Sequence, residues 1–138
     1  MVSVFILVTL LIIILDQATK FVIFHFRPHL DLKIIEIIFI KNTGAGFGLL
    51  QNYTWLLTIV SFLAASLIII YYPRLPKEKI PQTLFALLLG GIIGNLIDRL
   101  FRSYVIDFLN FKIWPAFNIA DASITVAAIG LMIYYWKK

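Results

Sequence analysis

Four stretches of this chain are each long and apolar enough to cross a lipid bilayer, and no other feature restricts its fold as strongly. A spanning helix needs about 20 mostly apolar residues. The first stretch runs from about Val2 to Phe26 and is interrupted by Asp16-Gln17-Ala18-Thr19-Lys20. The second, from about Thr54 to Tyr72, carries no charge. The third runs from about Ile80 to Leu100, and the fourth from about Phe117 to Trp136. Composition agrees. Of the 138 residues, 62% are hydrophobic and 14% charged, against about half and about a quarter in a soluble domain. So small a soluble body has too little interior to hide that much apolar surface. The expected fold is membrane all-α, a single four-span domain over residues 1–138.

An even number of spans puts both termini on one side. The short segment Pro73–Pro81 holds Arg74, Lys77 and Lys79, and the chain ends Lys137-Lys138. Short basic segments favour the cytoplasm. Tyr71, Tyr72, Tyr134, Tyr135 and Trp136 stand at the same ends, where interfacial aromatics sit. Both termini are therefore expected in the cytoplasm, with Arg27–Tyr53 outside. Within that outer segment Leu32–Ile40 is rich in β-branched residues and runs into Asn42-Thr43-Gly44, a turn signal. Tyr104–Trp114 is a second candidate strand. A small extramembrane β-sheet is thus expected at the outer face. The run Val2–Leu15 resembles a signal peptide but has neither a basic leader nor a small-x-small cleavage site, and reads as a retained first span. Gly90 and Gly94 have the spacing that lets membrane helices approach closely.

The net charge is +5. The basic residues are scattered or flank apolar runs, so membrane lipid with anionic headgroups is the expected partner, and nucleic acid is not. The chain has no cysteine, which excludes disulfides, thiolate metal sites and cysteine nucleophiles. His25 and His29 stand in no H-E-x-x-H frame, and no serine stands in a G-x-S-x-G turn. Neither a metal site nor a serine triad is expected. Gly44-Ala45-Gly46-Phe47-Gly48 lacks the spacing of a dinucleotide loop. Glycines beside an extended segment suit a backbone that passes close to a ligand.

Charges inside spans are costly and mark function by default. Of seven acids, Asp16, Asp98, Asp107 and Asp121 lie in or beside the spans. Asp16 and Lys20 share a helix face at i, i+4. They fit an internal ion pair, which can also wall a site. Asn95 shares a face with both Asp98 and Arg99 at the end of the third span. Snorkelling to headgroups accounts for Arg99 but not for the amide and the acid beside it. Asp107, within Val105-Ile106-Asp107-Phe108-Leu109, fits either the solvent face of a strand or a placed catalytic carboxylate. Asp121 fits the first turn of a helix capped by Asn118, a place compatible with a second role.

Asp107 and Asp121 stand at one depth in the four-span reading. Two close carboxylates cannot both ionise and so share a proton. One is then a base and the other an acid near neutral pH. The base takes a proton from water, the acid donates to a scissile carbonyl, and the roles reverse at the leaving amine. No metal or cofactor is required.

Five blocks then carry a family resemblance: DQATK at 16–20, NTGAGFG at 42–48, GNLIDR at 94–99, VIDF at 105–108 and FNIADASI at 117–124. In this order, on a four-span profile, the chain closely resembles lipoprotein signal peptidases, the membrane aspartic peptidases also called signal peptidase II. The resemblance implies four transmembrane helices in the bacterial cytoplasmic (inner) membrane and an active site near the outer face. It implies Asp107 and Asp121 as catalytic aspartates. It implies site-shaping or substrate-holding roles for Asn42, Gly44, Asn95, Arg99 and Asn118, and supporting roles for Asp98, Asp16 and Lys20. The implied substrate is a lipid-modified prolipoprotein, cut on the amino side of its diacylglyceryl cysteine by a monomer without cofactor. Gly46, Gly48 and Ser103 stand where the family more often has alanine, serine and glycine. Two other classes use buried carboxylates: intramembrane aspartic peptidases with a G-x-G-D motif, absent here, and non-enzymatic proton relays.

Overall fold

Long helices occupy all four apolar stretches in the computed structural model, which describes residues 2–45 and 49–137. They are α1 (Val2–Phe26), α2 (Thr54–Tyr71), α3 (Lys79–Arg102) and α4 (Ile119–Trp136). Each is long and apolar enough to span a bilayer, so the chain is a multi-pass membrane protein. Leu7, Ile14, Phe62 and Met132 are each more than half exposed, forming an apolar surface suited to lipid. α3 is the most buried helix, and α1, α2 and α4 all pack on it. Its small residues allow this. A Cβ on Gly94 would come within 2.6 Å of Asp16 Oδ2, and one on Gly91 within 2.5 Å of the Ala120 carbonyl. The glycine spacing singled out Gly90 and Gly94, which admit α1; Gly91, one position off that pattern, admits α4.

At the end of the bundle away from both termini lies a three-stranded antiparallel sheet, ordered β1 (Leu30–Asp31), β2 (Ile35–Asn42), β3 (Val105–Phe111). β2 starts three residues later than the expected Leu32. Asp31 Oδ1 accepts the Lys33 backbone N–H at 2.8 Å, and Lys33 has φ 70°. That side-chain turn makes 32–34 the bend of a hairpin rather than strand. The apolar face of Ile106 and Phe108 packs on Ile23 of α1.

A bulge in β2 sets which residues meet. Ile37 pairs with Leu109, but Ile40 pairs with Asp107 and Asn42 with Val105. One extra residue in β2 flips its later side chains to the other face. Asn42 consequently shares a face with Asp107, which an unbulged strand would deny it. After β3 the chain turns and comes back: Phe117 and Leu109 exchange backbone hydrogen bonds at 3.0 and 2.9 Å. That return sets the start of α4 beside β3.

The turn leaving α3 places Ser103 at φ 63°. Glycine adopts this left-handed conformation without strain, whereas a side chain there carries a cost. Gly46, Phe47 and Gly48 of the NTGAGFG block, and Lys138 of the terminal basic pair, lie outside the described residues.

Candidate active site

Asn118 ends the returning segment in extended conformation and caps α4. Its Oδ1 accepts the Asp121 N–H at 2.9 Å, and its own N–H donates to Asp121 Oδ2 at 3.3 Å. This reciprocal capping box fixes the Asp121 carboxylate at the positive end of the helix. The Asn118 amide faces the other way. Its Nδ2 donates to Asp107 Oδ1 at 2.8 Å and to Asn95 Oδ1 at 3.1 Å. One side chain thus holds both aspartates.

Asp107 is 2% exposed. The solvent-face alternative therefore fails: β3 is covered on both sides here, with Val105 and Ile106 buried too. Asn42 Nδ2 donates to its Oδ2 at 2.9 Å, a contact the bulge creates. Burial, followed by the negative charge of Asp121, pushes the Asp107 carboxyl up to about 7. The hydrogen bonds from Asn42 and Asn118 and the charge of Lys20 act in the opposite direction.

Asn95 Nδ2 donates to Asp121 Oδ1 at 2.7 Å, and Asn95 Oδ1 accepts from Lys20 Nζ at 3.0 Å. Lys20, fully buried, also pairs with Asp16 at 2.8 Å and Asp98 at 3.0 Å. The expected Asp16–Lys20 pair therefore exists and extends across to α3. Arg99 turns toward α2 and the segment after β2. Its guanidinium donates to the Gly44 carbonyl at 3.4 Å and to Ser61 Oγ at 3.5 Å. Gly44 in turn gives its N–H to Asn42 Oδ1 at 2.9 Å.

Asn42, Gly44, Arg99 and Asp121 line a cleft of about 660 Å³ whose other walls include Trp114 and Phe117. Asp107 is not part of that lining, but its hydrogen-bond partner Asn42 is. The cleft combines a mostly apolar lining with a few convergent polar groups, as small-ligand sites do. Ten residues were singled out in the sequence, and all ten meet in this one network or line its cleft.

Gln17 and Arg102 escaped the sequence reading. Gln17 Nε2 donates to the Gly94 carbonyl at 3.0 Å and to Asp98 at 3.2 Å, and Arg102 donates to Asp98 at 2.6 Å. A signal existed for Gln17, an amide in mid-span one residue after Asp16. Arg102 follows Asp98 at i, i+4, the spacing that also pairs Asp16 with Lys20. His25 and His29 stay apart from the site: His29 pairs with Glu36 on the sheet surface at 2.6 Å.

Comparison with known proteins fits this geometry. The family model described as signal peptidase (SPase) II matches residues 8–137. The lipoprotein signal peptidase of Moorella thermoacetica is 40% identical over 139 residues, covering 96% of this chain and 91% of its own. That of Halothermothrix orenii is 34% identical over 137 residues, covering 96% and 94%. A solved bacterial membrane enzyme, determined by the in meso method at 2.3 Å resolution, superposes with TM-score 0.89 at 27% identity over 99% of this chain and 90% of that one. A second, at 1.9 Å resolution, gives TM-score 0.86 at 26% identity, over 100% and 96%. With a membrane bundle, two aspartates held by Asn118 at its sheet-bearing end and a family match over nearly its whole length, this chain belongs to the signal peptidase II family of membrane aspartic peptidases.

Proposed function

We propose that Asp107 and Asp121 are the catalytic dyad of a peptidase that removes the signal peptide from diacylglyceryl-modified prolipoproteins. It cuts on the amino side of the lipidated cysteine. The observation that carries this reading is the single amide of Asn118, which holds Asp107 by its Nδ2 and Asp121 by its capping box. The pair shares one proton, so the ionised member takes a proton from water while the protonated member donates to the scissile carbonyl. The proton taken from water then passes to the leaving amine. Asn42, Gly44 and Arg99 hold the substrate backbone from the cleft wall. The whole chain acts as one four-span domain and as a monomer in the bacterial cytoplasmic membrane, with both termini in the cytoplasm and the site near the outer face. That depth suits the substrate, since its acyl chains remain in lipid while the peptide bond rests on the dyad.

The test is lipid dependence. Purified protein in detergent is given one prolipoprotein with and without the diacylglyceryl group. Cleavage of the lipidated form at a kcat/KM at least about tenfold higher is expected, the margin that a single well-recognised apolar group provides. Equal rates on both forms would remove the lipid from recognition.

A pH dependence follows. With Asp107 near 7, the pair keeps one proton below that pH and loses it above. The value of kcat/KM should therefore fall as pH rises through about 7. A rate that keeps rising to pH 9 in buffers of constant ionic strength would contradict a proton-sharing pair.

A further inference from the structure

The dyad is held by more than its immediate amides. Asp98 Oδ2 accepts the backbone N–H of Ile106 at 3.0 Å, and Ile106 immediately precedes Asp107. Asp16 Oδ1 accepts the backbone N–H of Ala120 at 3.0 Å, and Ala120 immediately precedes Asp121. Each supporting carboxylate thus fastens the backbone one residue before a dyad aspartate. The two carboxylates come from different helices, α1 and α3, and carry like charge. Two groups join them: Gln17 Nε2, which donates to Asp16 Oδ2 and to Asp98 Oδ1 at 3.2 Å each, and Lys20, which brings the positive charge. Lys20 Nζ lies 2.8 Å from Asp16 and 3.0 Å from Asp98.

An ammonium has three protons to donate. The third goes to Asn95 Oδ1 at 3.0 Å. Together with the donation from Asn118 Nδ2 at 3.1 Å, that contact fixes which way the Asn95 amide points, so that its Nδ2 meets Asp121 at 2.7 Å. Lys20, Asp16 and Asp98 all have fully buried side chains, so water does not compete for these contacts. Gly94 is part of the arrangement, because a Cβ there would occupy the place of Asp16 Oδ2.

Resting on the dyad assignment above, we infer that Lys20 is a positioning residue: its ammonium joins the backbone clamps of β3 and α4 and so sets the distance between Asp107 and Asp121. Three contacts from one nitrogen reach the segment bearing Asp107, the segment bearing Asp121, and the amide that orients Asp121. None reaches the substrate cleft, whose lining does not include Lys20. Loss of this ammonium should therefore slow the chemical step and leave substrate binding alone.

The experiment compares kcat and KM on lipidated prolipoprotein for wild type, Asp107→Asn, Lys20→Met and the triple variant Asp16→Asn/Lys20→Met/Asp98→Asn, each corrected for folded fraction. The triple variant guards against misfolding. It removes all three fully buried charges and leaves only Arg102, a quarter exposed and able to turn to solvent, without its carboxylate partner; its asparagine oxygens can still accept from Ile106 and Ala120. Positioning predicts that kcat falls about 100-fold in both Lys20 variants with KM within threefold of wild type, as a small misplacement of reacting groups does. A folded triple variant with wild-type kcat would overturn the inference and leave Lys20 as packing. Wild type that fails to cleave, or Asp107→Asn that still does, would instead strike the dyad reading on which it rests.

Discussion

Asp107→Asn should lower kcat by about 10⁴-fold, the upper range for loss of a general acid–base group, while the protein stays folded. Asparagine keeps the shape but cannot exchange a proton. Its effect on stability is the sum of two opposing changes. In the folded protein Asp107 holds its proton up to about 7, against an ordinary value of 3.8. Between those pH values the folded state binds a proton that the unfolded state has lost, so stability declines as pH rises through that window. A neutral residue removes this cost. Against it, one amide oxygen replaces two carboxylate oxygens, so either Asn42 or Asn118 meets an N–H instead of an acceptor. The two changes act in opposite directions, so the variant should stay folded. Asp121→Asn should show the same loss of turnover. Thermal melts run beside the kinetics at pH 8 check both halves, and a variant that loses activity only by unfolding would not support a catalytic role.

Asn118 should be the next most damaging site. Alanine there removes the cap of α4, worth about 0.5–2 kcal/mol. It also removes the donor shared by Asp107 Oδ1 and Asn95 Oδ1 in a buried place, costing about 1–3 kcal/mol more. Asn118→Ala should therefore both destabilise the protein and cut kcat about 100-fold, since the dyad loses its common holder. Asn118→Asp separates the two roles. Aspartate caps a helix as well as asparagine does, but it offers Asp107 an acceptor and a negative charge where Nδ2 had been. If Asn118 only caps α4, Asn118→Asp should be folded and active. If it joins the aspartates, that variant should be folded and nearly inactive, and its alkaline pH limit should move upward because a further negative charge favours the protonated pair.

Much of this was legible in the sequence because lipid is an unforgiving solvent. Asp16, Lys20, Asp98 and Asp121 stood out because charge among apolar residues is costly, and the structure brings each of them into one network. The four helices were legible for the complementary reason. What escaped depended on register and on neutral groups. The bulge that brings Asn42 onto the face of Asp107 is one extra residue in β2, and no residue type announces it. The start of β2 was misplaced because Asp31 bonds its own backbone and bends a β-branched run that composition alone reads as strand. Gln17 carries no charge, and its one mark in the sequence is its place in mid-span beside Asp16. The clamps on Ile106 and Ala120 were invisible, since they join side chains to backbone groups far away in the chain.

The most direct measurement is the identity of the bond that is cut. Lipidated prolipoprotein is incubated with wild type, Asp107→Asn and Asp121→Asn, and both products are weighed by mass spectrometry. The dyad account predicts a single cut on the amino side of the diacylglyceryl cysteine by wild type, and no such product from either folded variant. A cut at another bond, or the same product from either folded asparagine variant, would contradict it.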